Sequence, residues 1–340
     1  MDWGCGFLSV FFFFVLMLGV MAVNGLTDAP NAIATAVATG ALPFRRAACL
    51  AAFCEFFGVV VMTSLAPQVA HTLFSLSDFG SDRETALIAL TAALCAVILW
   101  ACAAWLFGIP TSESHALAAG VSGAAVALRG NFSALNAEAW LKVFLGLILS
   151  TLMGYLAGRF FARLLRFLTK GEAGSRSFFL AQIVGAAVMA FAHGAQDGQK
   201  FMGILLLGFA LASGEHEPAV FYVPVWIMLI CAAAISLGTF SGGRRIVETV
   251  GSRMTTLGPR QGLASDLAGG ACLLLASLFG LPVSTTHTKT SAIFGVGMAE
   301  TPGKVNGFVV KSIFLTWLLT FPGCALLGYG LTALFLSVFR

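Results

Sequence analysis

Apolar residues run along this chain in blocks of 16 to 22, separated by short polar stretches. Each block approaches the roughly 20 residues that a helix needs to cross about 30 Å of hydrocarbon. Segments of about ten residues with alternating polarity, the pattern of a transmembrane barrel, are absent. The pattern predicts an all-α polytopic membrane protein with crossings near 7–24, 47–66, 85–106, 114–129, 140–158, 178–195, 220–240, 263–280, 286–299 and 307–330. Phe321-Pro322-Gly323 leaves open whether the last block is one crossing or two, and the apolar pieces 28–42 and 201–211 are too short to span alone.

Composition agrees, with 59% hydrophobic and 10% charged residues where a soluble domain carries about 25% charged. The first run follows Met1-Asp2-Trp3, acidic where a secretory leader is basic, and no small-residue cleavage site follows it, so it reads as a mature helix. Eight cysteines stand singly inside apolar blocks without C-x-x-C spacing, as packing residues do.

Charge sets the orientation. Arg45-Arg46, the run Arg159, Arg163, Arg166, Lys170 and Arg176, the run Arg244, Arg245, Arg253 and Arg260, and the pair Lys304 and Lys311 mark cytoplasmic loops. The stretches 78–84 and Glu215-His216-Glu217 are acidic and fit the outside, which puts the amino terminus outside an inner or plasma membrane.

Two motifs recur in the same order. Asn24-Gly25-Leu26-Thr27-Asp28-Ala29-Pro30-Asn31 is matched 169 residues on by the stretch from His193 to Lys200, and Gly108-Ile109-Pro110-Thr111-Ser112-Glu113-Ser114-His115 is matched 172 residues on by Gly280-Leu281-Pro282-Val283-Ser284-Thr285-Thr286-His287. The chain thus divides into repeats 1–170 and 177–340, each with five crossings. An odd number reverses the second half, which predicts an inverted-topology repeat of about 10–12 transmembrane helices, some broken or re-entrant, with its site near the bilayer midplane.

Charges inside apolar blocks cost several kcal/mol unless paired or wetted, so Asp28, Glu55, Glu113, Asp197, Lys200 and Lys289 are candidates for function. Asp28 and Asp197 occupy equivalent places, each three residues after a glycine and before a short apolar piece, as where a helix breaks and restarts. Such a carboxylate is a site for Na⁺ or a proton, or else a cap on the next half-helix. The Pro-and-hydroxyl motifs read as helix starts whose free N–H groups bind an oxyanion, with Thr111, Ser112, Ser284, Thr285 and Thr286 as donors.

His115 and His287 either fix that hydroxyl geometry or are buried structural histidines. No second His or Cys stands at ligand spacing on the same helix, so zinc is not expected. Lys200 either neutralises Asp197 or touches the anion, and Glu55 lies either on a cation path or in a simple ion pair. Glu113, a carboxylate inside an anion motif, is either protonated or paired with a cation such as Lys289.

These motifs, with Leu237-Gly238-Thr239 running into Gly242-Gly243-Arg244-Arg245, resemble the inorganic phosphate transporter (PiT) family from about Asn24 to Gly297. The resemblance implies a secondary-active symporter that moves inorganic phosphate into the cell with H⁺ or Na⁺, assembled as a homodimer. By position, Asp28, Asn31, Asp197 and Gln199 would hold cation and phosphate, with Na⁺ as the only metal, while Thr111, Ser112, Ser284 and Thr285 would line the anion pocket. Sulfate carriers occur in the same family, so a sulfate permease is the alternative.

The family places Asn before each repeat aspartate, where this chain has Thr27 and Gln196, and a small or hydroxyl residue where Glu113 stands. Fewer fixed oxygen ligands and an extra carboxylate shift the expectation toward H⁺. An intramembrane enzyme fits less well, because hydrolytic triads are single constellations and the candidates here come in pairs; a channel is the remaining rival. No organic cofactor and no nucleic acid partner is implied, only the anion, the coupling ion and the lipid bilayer.

Overall fold

A computed structural model describes residues 3–169, 176–214 and 221–339. Met1-Asp2, Lys170 of the basic run, and Glu215-His216-Glu217 lie outside the described residues. The first half comprises α1 (Trp3–Thr27), α2 (Pro30–Ala38), α3 (Phe44–Leu65), α4 (Gln68–Phe74), α5 (Arg83–Phe107), α6 (Glu113–Arg129) and α7 (Ala137–Leu168). The second comprises α8 (Arg176–Ser213), α9 (Val225–Ser241), α10 (Arg244–Glu248) leading into a π turn (Thr249–Arg253), α11 (Pro259–Leu278), α12 (Thr285–Glu300) and α13 (Gly307–Phe339). Among the described residues there is no strand, only an isolated bridge between Ser77 and Leu135.

Among the described residues, seven helical segments are long and apolar enough to cross a membrane, and α9 with the α10 segment makes a further one bent by 67°. The all-α fold is as the sequence pattern predicts, and three of its details change. Stretches 114–129 and 286–299 are α6 and α12, of only 17 and 16 residues, and both begin at fully buried positions rather than at a surface. The short piece 201–211 is no separate element, because α8 runs unbroken for 38 residues, about 57 Å at 1.5 Å per residue. The last block does not split either: Pro322 sits inside the continuous α13.

The break expected at both repeat aspartates occurs at only one. Between α1 and α2, Pro30 has no N–H to donate and its ring crowds the preceding turn, so the first helix ends at Thr27 and a new one starts. The position 169 residues on is Gln199, which has an N–H, and α8 passes through Asp197 without interruption.

The glycines preceding the aspartates serve packing instead of breakage. A methyl group at Gly25 would collide with the Ile235 carbonyl of α9, and one at Gly194 with the backbone of Glu55 in α3. Gly58 lies likewise on Phe191, and Gly238 on Ala22. So α1 presses on α9 and α3 on α8, backbone to backbone, as small residues allow in lipid. The same close approach recurs where α6 meets α13, at Gly123 against Ala325, and where α12 meets α7, at Gly295 against Tyr155. Large apolar side chains such as Phe107, Phe167 and Phe308 lie on the outside, where lipid replaces water.

Candidate functional site

Four helix ends and one through-running helix converge at the centre. The α1–α2 junction supplies Asn24, Thr27, Asp28 and Asn31; α8 supplies His193, Asp197 and Lys200; the starts of α6 and α12 supply Ser112 to Ser114 and Ser284 to Thr286. All of these are buried, with Asp28 1% and Asp197 0% exposed.

The two repeat aspartates meet. One oxygen from each and a ring nitrogen of His193 lie within 4.8 Å of one another, close enough to share one cation. The Thr285 hydroxyl lies 3.1 Å from Asp28 Oδ2 and 3.4 Å from Asp197 Oδ2, bridging the pair. Asp28 also accepts from Asn31 Nδ2 at 2.7 Å and from the Thr286 hydroxyl. Asp197 accepts from Asn24 Nδ2 at 3.0 Å and from Lys200 Nζ at 2.7 Å.

Lys200 ties three elements together, because its other donors reach Ser114 Oγ of α6 and the Val283 carbonyl just before α12, each at 2.6 Å. His193 stands between carboxylates, Nδ1 3.1 Å from Glu55 Oε1 and Nε2 3.4 Å from Asp197 Oδ2. Glu55 in turn accepts from Thr239 of α9.

Both hydroxyl motifs are helix starts. Ser112 caps α6 by accepting from the His115 N–H at 3.3 Å, and Ser284 caps α12 by accepting from the His287 N–H at 3.1 Å. The N–H groups of the first two residues of each helix, Glu113 and Ser114 in α6 and Thr285 and Thr286 in α12, lack a helical acceptor. The two starts touch, since the Thr286 hydroxyl lies 3.0 Å from the Thr111 carbonyl. The histidines hold the caps through their backbone, while their rings meet each other with centroids 4.6 Å apart, His115 stacked on Phe321 and His287 on Trp317.

Some candidates fall elsewhere. The Thr111 hydroxyl faces Trp100 at 3.1 Å and Thr320 at 3.0 Å, so only its carbonyl reaches the centre. Gln199 is buried, yet neither of its amide atoms has a hydrogen-bond partner among the described residues. Glu113 is not paired with Lys289, which instead binds Asp266. Its Oε1 contacts the Thr27 hydroxyl, and its Oε2 has no hydrogen-bond partner among the described residues. The residue pattern overlooked His193 and Asn24, although each stands four residues before an aspartate, one helical turn away, inside the repeated motif.

Comparison with known proteins decides the family. The model of the phosphate transporter family matches residues 24–328. The chain belongs to the phosphate transporter family. The transporter is 36% identical over 309 residues to a "Probable low-affinity inorganic phosphate transporter" of Bacillus subtilis (strain 168), covering 90% of this chain and 91% of that one. It is 37% identical over 326 residues to a protein of the same name from Rhizobium meliloti (strain 1021), covering 93% and 95%. A solved structure titled "The sodium-dependent phosphate transporter" superposes with a TM-score of 0.85 at 25% identity, covering 98% of this chain and 100% of that chain. The protein is thus a multi-span phosphate transporter of the membrane and not an enzyme.

Proposed function

We propose that the transporter is a secondary-active symporter that brings inorganic phosphate into the cell together with H⁺ or Na⁺. The observation that carries this is the charge held at the centre. Asp28, Glu55, Glu113 and Asp197 are four buried carboxylates, against Lys200 and, at most, a protonated His193. Two like charges near 5 Å repel by about 3 kcal/mol even at an effective dielectric constant of 20. An oxyanion cannot join an excess of negative charge unless cations enter with it, and that condition is stoichiometric coupling.

One of those cations is a proton on Glu113. The Thr27 hydroxyl lies 2.7 Å from the Val23 carbonyl, the ordinary i−4 partner of a helical threonine, and also touches Glu113. Glu113 is buried with no cationic side chain bonded to it among the described residues, and its Oε2 has no hydrogen-bond partner there, so a proton is the cation that suits it. The Asp28 and Asp197 pair, with His193 beside it, takes the other cation.

The anion itself lies against the starts of α6 and α12, where Ser112, Ser284, Thr285 and their unpaired N–H groups meet it, with Lys200, Asn31 and Gln199 around it. The two halves, 1–170 and 177–340, act as an inverted pair. In support, the packing survives exchange of the halves: α1 on α9 as α8 on α3, α6 on α13 as α12 on α7, and α5 on α13 as α11 on α7. The basic loops support an amino terminus outside, and the assembly proposed is a homodimer in the plasma membrane.

The test is labelled phosphate uptake into proteoliposomes under imposed Na⁺ and pH gradients. Accumulation under one of them is expected, suppressed more by unlabelled phosphate than by sulfate. No accumulation under either gradient would end the symport reading, and stronger suppression by sulfate would turn it into sulfate transport.

A further inference from the structure

A second buried polar cluster lies one turn of α2 away from the central site, toward the end of the molecule that carries Arg45, Arg46, Arg253 and Arg260. On α2, Asn31, Thr35 and Thr39 stand at i, i+4 and i+8, so they share one face. Asn31 bonds Asp28 in the central site. Thr35 donates to Asp266 Oδ1 of α11 at 2.6 Å, and Thr39 lies 2.8 Å from Gln182 Oε1 of α8. The same Asp266 oxygen binds Lys289 of α12, whose Nζ also lies 3.2 Å from Thr35 Oγ1. A polar stripe thus runs from the central carboxylates to half-buried Thr39 at the end of α2.

The other half has no such stripe. The residues displaced by 172 from Asp266 and Lys289 are Leu94 and Leu117, and the one displaced by 169 from Thr35 is Ile204. All three are 0% exposed and belong to one apolar cluster. The architecture therefore accepts leucine and isoleucine at these places, and packing does not call for a lysine and an aspartate. Exchanging a buried ion pair for apolar residues of similar size is often neutral or stabilising, whereas ionisable groups within a membrane mark ion and substrate paths.

The pair is also incompletely satisfied. Lys289 and Asp266 are both 0% exposed. Among the described residues, Lys289 uses two of its three N–H donors, on Asp266 and Thr35, and Asp266 Oδ2 has no hydrogen-bond partner.

We infer that Thr35, Asp266 and Lys289 form a second, inner station for the oxyanion. In the state described here Asp266 occupies Lys289 and closes the route. When the basic face opens, Asp266 releases Lys289, whose ammonium and the Thr35 hydroxyl receive the phosphate leaving the central site and pass it along Thr39 to the cytoplasm. The inference rests on the central site holding the anion, and it is indifferent to which cation drives uptake.

The experiment is exchange of labelled for unlabelled phosphate across proteoliposomes containing the full chain, with no ion gradient imposed. Lys289→Met with Asp266→Leu copies the apolar character of the other half, and Lys289→Arg keeps the cation. The double variant is expected to unfold at or above the wild-type temperature and to exchange phosphate at least tenfold more slowly, while Lys289→Arg retains exchange within fivefold of wild type. Lys289→Gln with Asp266→Asn, which changes shape least, is expected to be as slow as the apolar pair. Wild-type exchange by either double variant would overturn the station and leave the ion pair a packing feature. Wild-type protein that exchanges phosphate but ignores every gradient would instead overturn the symport proposal and leave the station standing.

Discussion

At the scale of residues, Asp28 and Asp197 are alike in motif but not in company. Asp28 is held by neutral donors, Asn31, Thr285 and Thr286, whereas Asp197 faces Lys200 and His193. Asp28→Asn and Asp197→Asn should each lower gradient-driven phosphate uptake at least tenfold, and a variant with full uptake would remove that aspartate from the cation site. Their stabilities should differ. Removing one partner of a buried ion pair costs about 3–5 kcal/mol, so Asp197→Asn should lower the thermal midpoint in detergent markedly more than Asp28→Asn. Glu113→Gln should keep phosphate exchange but lose stimulation by an inward proton gradient; retained stimulation would move the proton elsewhere. The aspartates and hydroxyl motifs were legible because polar residues in apolar blocks are conspicuous. The partner of Lys289 was not, since Asp266 lies 23 residues away on another helix.

Elements show how a correct motif can carry a wrong local meaning. Gly25 and Gly194 read as break points, yet both are helical and exist to let backbones approach. Gly25→Ala or Gly194→Ala should cost about 1–3 kcal/mol, the usual range for overpacking a tight contact, read as a lowered thermal midpoint. Gly19→Ala, with nothing within 4 Å of the added methyl, should leave it unchanged or slightly raised. The break between α1 and α2 belongs to Pro30, and its absence in α8 to Gln199. Introducing the proline there, Gln199→Pro, should cost about 3 kcal/mol or more through the lost hydrogen bond and the ring clash.

For the whole molecule, the orientation proposed from the basic loops can be read by labelling from one side. With Cys49 replaced, a membrane-impermeant maleimide applied to intact cells should react with Ser81→Cys at the acidic end and not with Ser252→Cys beside Arg253, both of which are exposed positions. The reverse pattern would invert the molecule, and with it the direction assigned to the Lys289 station. Hydropathy, charge placement and two repeated motifs were enough to determine a membrane-embedded helical protein of the phosphate transporter family and to single out its paired aspartates and hydroxyl motifs as candidates, because each of these is local and survives without knowledge of neighbours. Which groups face one another was decided by packing alone. Asn24 reaches Asp197 across 173 residues and Thr286 reaches Asp28 across 258, contacts that exist only once glycine-lined helices from the two halves have closed on each other.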